Sequence, residues 1–368
     1  MPETHVRRRA ALRSQLRERD LDALLLVDLR NIRYLTGFTG SNAALVVHAT
    51  DSGDDERTVF CTDGRYLTQS AAQVPELARV IDRASAPALA ARLGSAVADY
   101  RRTGYESHRV TVEELDTLSG AAGAVDLVRA PGLVEGLRMV KDDAEVDALR
   151  MACAAADRAL ADLLEHGGLR PGRTEREVAR ELESRMLDHG AAAPSFETIV
   201  AAGANSAVPH HRPTDAELAA GDLVKLDFGA LVDGYHSDMT RTFVLGAPAD
   251  WQRELYDLVA AAQAAGRAAL RIGADVRDVD AAARDVVARA GRAEEFLHGL
   301  GHGVGLEIHE APALAKTGEG TLSAGMAVTV EPGVYLSGRG GVRIEDTLVV
   351  RDGDPELLTL TTKQLVVV

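Results

Sequence analysis

Four carboxylates stand out by their setting. Asp227, Asp238, Glu331 and Glu345 each fall in a run that otherwise reads as an apolar β-strand: DLVKLDFGAL (222–231), SDMTRTFVLG (237–246), MAVTVEPGVY (326–335) and GVRIEDTLVV (341–350). Successive strand side chains point to opposite faces. On that phase Asp227 lies opposite Val224, Leu226 and Phe228, and Asp238 shares a face with Thr240 and Thr242. Glu331 lies with Thr329, and Glu345 with Arg343 and Thr347. Any one of them alone reads as an exposed strand acid or an ion-pair partner. As a set they resist that reading, because a carboxylate buried without compensation costs several kcal/mol and gathering four raises their pKa values until some become neutral. Either they face water or cations hold them. Asp227 and Asp238 are eleven residues apart across what reads as one hairpin, which brings them close.

The glycine-rich stretch HGLGHGVGLEIHE (298–310) adds His302 and His309. A phosphate cradle of the GxGxxG kind does not fit it, because no clear strand precedes it and no glycine-to-helix transition follows. A tight backbone path accounts for the glycines and leaves the imidazoles unexplained. Four carboxylates and one imidazole make an oxygen-rich set suited to two hard or borderline divalent ions, with bridging carboxylates spanning metals roughly 3.5–4 Å apart. The four negative charges balance two such ions. A water between them is acidified enough to act as hydroxide near neutral pH.

The elements that must position these residues follow from pattern. Residues 1–128 alternate helix and strand: an Arg-rich helix (6–19), an apolar strand (23–27) and, after the turn GFTGS, a second strand (43–47). That is an α/β domain. A break at 129–132 separates it from KDDAEVDALRMACAAADRALADLL, where Asp142 caps a helix, Glu145 reaches back, and Val146, Leu149, Cys153, Ala156, Leu160 and Leu163 recur at helical steps. Further helices are expected from Thr174, with Glu177 completing its capping box, to Gly190, and over 276–290, stopped by Gly291. The period then switches to two in the runs that carry the carboxylates. Helix pairs followed by strand pairs, met twice, indicate a two-half α+β domain. The expected division is 1–130 and 131–368.

Composition bounds the rest. At 368 residues, 46% hydrophobic and 26% charged, with 34 Gly and 12 Pro, the chain is neither disordered nor collagen-like and is long enough for two domains. Its formal charge of −15 repels phosphate backbones and anionic headgroups, so neither nucleic acid nor a membrane is an expected partner. Cys61 and Cys153 make neither a CxxC pair nor a disulfide framework. No apolar signal segment follows the basic N-terminus, and no 18-residue apolar run occurs. A reducing cytoplasm is the expected location.

At the residues singled out above the chain resembles the pita-bread metallopeptidases, the family of aminopeptidase P, prolidase and methionine aminopeptidase. LDFGALVDGYHSDMTRT, GLGHGVGLEIHEAP, VEPGVY and GVRIEDT stand in the family's order. The resemblance implies five metal ligands, Asp227, Asp238, His302, Glu331 and Glu345, with Asp238 and Glu345 bridging two divalent ions. Mn2+ is the expected metal, with Co2+, Zn2+ or Fe2+ also compatible. Within GANSAVPHH it matches His210 to the histidine that meets the scissile region, and it matches His309 to a second such histidine. Arg343 resembles an arginine behind the ligands, and Glu331 is the candidate proton shuttle; His211 has no family role and reads as a loop residue.

The segments DALLLVDLRNIRYLTGFTGSNAAL and CTDGRY resemble the creatinase-type N-terminal domain, which methionine aminopeptidase lacks. The resemblance thus covers essentially the whole chain. It implies an Xaa-Pro aminopeptidase of the aminopeptidase P type, with Xaa-Pro dipeptidase (prolidase) as the alternative, acting on proline-containing peptides as a homodimer. Retention of all five ligands disfavours a creatinase-like hydrolase or a peptide-binding scaffold.

Overall fold

The computed structural model describes residues 2–50 and 55–368. The chain divides into two compact units, Met1–Arg138 and Met139–Val368. The division lies at 138/139 rather than the expected 130/131 because a short helix, 133–138, belongs to the first unit. There Arg138 Nη1 donates to Asn31 Oδ1 at 2.8 Å, and Asn31 Nδ2 donates to Glu135 Oε1 at 2.9 Å.

The first unit is the expected α/β domain. Its strands are β1 (Ala23–Leu26), β2 (Ala43–His48), β3 (Val59–Thr62), β4 (Ala78–Ile81), β5 (Arg102–Tyr105) and β6 (Asp126–Arg129), in the sheet order β4-β3-β2-β1-β5-β6. Only β2 runs antiparallel to its neighbours. Helices α1 (Pro2–Glu18), α2 (Leu29–Thr36), α3 (Leu67–Gln73), α4 (Ser85–Ser95), α5 (Val112–Ala122) and α6 (Leu133–Arg138) complete it. Ala23, Leu25, Ala44 and Val46 pack with Leu89, Leu93 and Leu118 to form its core.

The second unit has the two halves that the helix and strand alternation implies. In the first half, α7 (Asp143–Glu165) opens on the reciprocal Asp142–Glu145 capping box and α8 (Glu175–Asp188) on the Thr174–Glu177 box. The expected stripe from Val146 to Leu163 is buried throughout. It packs with α8 onto strands β7 (Ala193–Pro194), β8 (Ile199–Ala202), β9 (Leu223–Phe228), β10 (Ala230–Val232), β11 (Tyr235–His236) and β12 (Met239–Val244). Burying each Val or Leu of that stripe contributes roughly 1.5–3 kcal/mol.

The second half pairs α9 (Asp250–Ala269) and α10 (Val276–Arg289) with β13 (Gly301–Gly303), β14 (Glu310–Leu314), β15 (Ala327–Val330), β16 (Gly333–Leu336), β17 (Gly340–Arg343), β18 (Asp346–Val349) and β19 (Glu356–Leu357). The sequence reading had no helix at α9. Its N-cap position is Ala249, which offers no acceptor, and the signal is displaced to Gln252, whose Oε1 accepts from the Ala249 amide at 2.8 Å.

The four strand runs expected to be continuous are each broken next to their carboxylate. DLVKLDFGAL splits at Gly229 into β9 and β10, MAVTVEPGVY at Glu331–Pro332 into β15 and β16, and GVRIEDTLVV at Ile344–Glu345 into β17 and β18. Asp238 sits just ahead of β12, separated from β11 by Ser237. A Cβ at Gly229 would overlap the Ser237 carbonyl, so that crossing requires glycine. These breaks leave Asp238, Glu331 and Glu345 outside the ladders, while Asp227 stays in register on β9.

Candidate metal centre

Asp227 on β9 stands directly across from Thr240 on β12, which places it diagonally next to Asp238 on the same face of the hairpin. Glu331 follows β15, Glu345 precedes β18, and β15 pairs with β18, so the second half delivers two more carboxylates together. His302 is the middle residue of β13. Its neighbours Gly301 and Gly303 let the backbone pass the Thr329 and Ala311 carbonyls where a Cβ would collide. The halves are tied beside the site: the Glu345 amide donates to Thr240 O at 3.1 Å, and Thr347 Oγ1 to Asp238 O at 2.8 Å.

All eight residues singled out in the sequence, Asp227, Asp238, His302, Glu331, Glu345, His210, His309 and Arg343, line one cavity of about 300 Å3. Ligand atoms of Asp238, His302 and Glu345 lie within 4.8 Å of one another. Glu331 Oε1 is 3.4 Å from His302 Nε2, and Asp238 Oδ2 is 3.5 Å from the same nitrogen. Asp227 is drawn instead toward Arg343, whose Nη2 donates to Asp227 Oδ2.

Electrostatics explains why such a cluster needs cations. Burial pushes Asp238 and Glu345 well above the ordinary carboxylate range, and the charges of the neighbouring acids push the same way. Burial likewise pushes Glu331 up to about 8. The His302 imidazole is pushed down to about 4 by burial, so at neutral pH it is uncharged and the short approach to two carboxylates is not an ion pair. Its Nδ1 lies 3.0 Å from Gly303 O, which assigns the proton to Nδ1 and leaves the Nε2 lone pair facing the carboxylate oxygens.

The donor set fits divalent metal. Among the described residues, the buried atoms Asp227 Oδ1 and Glu345 Oε1 have no hydrogen-bond partner. With the His302 lone pair they make a group of acceptors and no donor, which is the arrangement a cation completes.

Several supporting groups escaped the sequence reading. Thr240 Oγ1 donates to Glu345 Oε2 at 2.7 Å and accepts from Arg343 Nε at 3.0 Å. Thr329 Oγ1 donates to Glu331 Oε1 at 3.3 Å and accepts from the His302 amide at 3.1 Å. The Tyr335 hydroxyl accepts from Arg343 Nη1 at 2.9 Å and faces His298 Nε2 at 2.8 Å. Burial and the Arg343 charge push His298 down to about 3, so it is neutral and accepts from Tyr335. The phase of Thr240 and Thr329 was the one available sign of such roles. His302 and His309 meet edge to face, ring centroids 4.4 Å apart.

Residues 147–352 match Metallopeptidase family M24. The chain belongs to this family. Residues 8–140 match the Creatinase/Prolidase N-terminal domain. An uncharacterized peptidase of Bacillus subtilis is 37% identical over 358 residues, covering 97% of this chain and 98% of that one. The solved structure of an Xaa-Pro dipeptidase from Bacillus anthracis superposes with a TM-score of 0.92 at 36% identity, covering 100% of both chains. That of an X-Pro aminopeptidase from Thermotoga maritima gives 0.85 at 32%, covering 95% of this chain and 99% of that one. The M24 chain is a metallo-exopeptidase with the pita-bread fold that the sequence implied, and its family works with divalent metal ions. Among its described residues no helix is long and apolar enough to cross a membrane.

Proposed function

We propose that this M24 enzyme is an Xaa-Pro dipeptidase that hydrolyses the bond between an N-terminal residue and a following proline. The observation that carries the reading is the single cavity on which the partnerless carboxylate oxygens, the His302 lone pair and two further imidazoles converge. Asp227, Asp238, His302, Glu331 and Glu345 would hold two divalent ions, Mn2+ in this reading. Such ions supply Lewis-acid polarisation of the scissile carbonyl and acidify the attacking water. Glu331, which lines the same cavity beside His302, would take a proton from the attacking water and return it to the leaving proline nitrogen. His210 and His309 donate to the substrate carbonyl oxygen as negative charge develops there. Arg343 holds Asp227 in place through the bond from Nη2 to Oδ2.

Two features favour the dipeptidase over the aminopeptidase P type that the sequence alone put first. The cavity, about 300 Å3, is at the small end of ligand pockets. The Bacillus anthracis neighbour, matched over the whole of both chains, is named for dipeptide cleavage. The Thermotoga maritima neighbour, named an X-Pro aminopeptidase, keeps the second reading in play. A cytoplasmic homodimer belongs to the same reading and is checked by light scattering and fractionation.

The deciding experiment is a length series of Ala-Pro, Ala-Pro-Ala and a longer Xaa-Pro peptide, assayed with Mn2+. Cleavage of Ala-Pro alone is the expected result. Cleavage of the longer peptides at comparable kcat/KM makes the enzyme an aminopeptidase P, and a purified protein that takes up no divalent metal leaves only a scaffold.

A further inference from the structure

His210 is the one proposed substrate-contacting group with no visible means of support. It lies on the 203–214 connection after β8, it is exposed, and among the described residues its imidazole makes no hydrogen bond. Its position is therefore set by its backbone, and that backbone is gripped from two directions.

The first grip is Glu175, the opening residue of α8, which is fully buried. Its Oε1 accepts from the Ala202 amide and from Asn205 Nδ2, each at 2.9 Å. Its Oε2 accepts from His211 Nε2 at 2.7 Å, from the Thr214 amide at 3.0 Å and from Thr214 Oγ1 at 2.7 Å. Five donors from both ends of the connection thus meet on one carboxylate. Burial alone would raise its pKa, and the hydrogen bonds from Ala202, Asn205, His211 and Thr214 reverse this and hold it ionised.

The second grip is made by buried side-chain donors. Lys225, on β9 two residues before Asp227 and also fully buried, donates from Nζ to the carbonyls of Ser206 at 3.2 Å, Val208 at 2.7 Å and Pro209 at 3.2 Å. Arg343 Nη1 adds a bond to Pro209 O at 3.2 Å while its Nη2 holds Asp227. The donors of the connection face the Glu175 carboxylate and its carbonyls face the Lys225 and Arg343 donors, with His210 between the two sets.

We propose that Glu175, acting through His211, is a positioning residue that holds His210 over the carboxylate cavity, so that His211 is part of the clamp and not an idle loop residue. The inference rests on the proposed contact of His210 with substrate. A displacement of about 1 Å at such a group costs as much as 100-fold in rate.

The test uses the full-length Mn2+-loaded enzyme and Ala-Pro. Glu175→Gln, His211→Leu and His211→Gln are each made in the wild type and in His210→Ala, with kcat, KM, bound Mn2+ and Tm measured for every protein. Expected are a loss of ~10–100-fold in kcat/KM for Glu175→Gln and His211→Leu, unchanged Mn2+ content, and near-complete rescue by His211→Gln, whose amide can still donate. In the His210→Ala background the same changes should cost less than about threefold, because residues acting through one group are not additive. Equal losses in both backgrounds, or losses that track Mn2+ content, overturn the clamp while leaving the reading of the site intact. A His210→Ala enzyme as active as wild type overturns that reading and the clamp together. Should Glu175→Gln fail to fold, the His211 pair decides the question by itself.

Discussion

Removing the metal should make the stability of this enzyme fall with rising pH, the reverse of what most carboxylates do. Glu331 is pushed from the ordinary 4.5 up to about 8 by burial, with the Asp227 charge acting in the same sense, so the folded chain without metal binds more protons than the unfolded chain between these values. Stability is then whole below the unfolded pKa and drains away as pH rises toward the folded one. From about pH 5.5 to about pH 8 the loss from this group is about 3 kcal/mol. Asp238 and Glu345 shift in the same direction, and the three titrate as one set. For a unit this large that is roughly 6–12 °C in Tm. A divalent ion that binds at the proposed ligands should reverse the sign, because it takes up their deprotonated forms and stabilises more as pH rises. Thermal melts of chelator-treated protein across this pH range, with and without added Mn2+, measure both effects. A chelated protein whose Tm is flat or rises toward pH 8 would refute the electrostatic account of the site.

Glu345→Gln should abolish Ala-Pro cleavage while leaving the far-UV spectrum and the fold in place, since the Thr240 bond can be kept by the amide; unchanged turnover at full Mn2+ occupancy would remove Glu345 from the ligand set. Arg343→Met strips Asp227 of its cation and should destabilise the chelated protein by about 3–5 kcal/mol in urea, the usual cost of leaving a buried charge unpaired. A loss under about 1 kcal/mol would mean that Asp227 is solvated by something else. Asp142→Ala removes the cap of α7, far from the chemistry in kind, and should cost about 1 kcal/mol with kcat/KM unaltered.

How far these features could be read in advance depended on whether their cause was local. Both capping boxes in the second unit, Asp142 with Glu145 and Thr174 with Glu177, lie three residues apart and formed as expected. The acids of the cavity were conspicuous because each breaks an apolar run, and the antiparallel pairing expected to bring Asp227 near Asp238 is present, with Asp227 across from Thr240. What alternation could not show is that each run is interrupted at its carboxylate or within two residues of it. A bend such as Gly229 is dictated by the Ser237 carbonyl that crosses it, and Glu331–Pro332 by the pairing of β15 with β18 rather than with β16. Helix α9 was missed for a similar reason: its capping acceptor is carried by Gln252 inside the helix, where a scan for N-cap residues does not look.

Glu175 shows the limit most sharply. In THR-GLU-ARG-GLU order, 174–177, an acid directly after the N-cap is what the positive end of any helix favours, so its type and place are fully explained without a function. Its real partners lie 27 to 39 residues away, at Ala202, Asn205, His211 and Thr214. The bond of Arg343 to Asp227 spans 116 residues and that of Thr240 to Glu345 spans 105. A carboxylate that violates its local pattern announces a site, whereas one that satisfies it conceals whatever the fold later brings against it. Groups that touch the reacting atoms must break local rules, because burial of uncompensated charge is the source of their chemistry. Groups that only hold them in place need not, and for those the folded geometry is the first place a role can be seen.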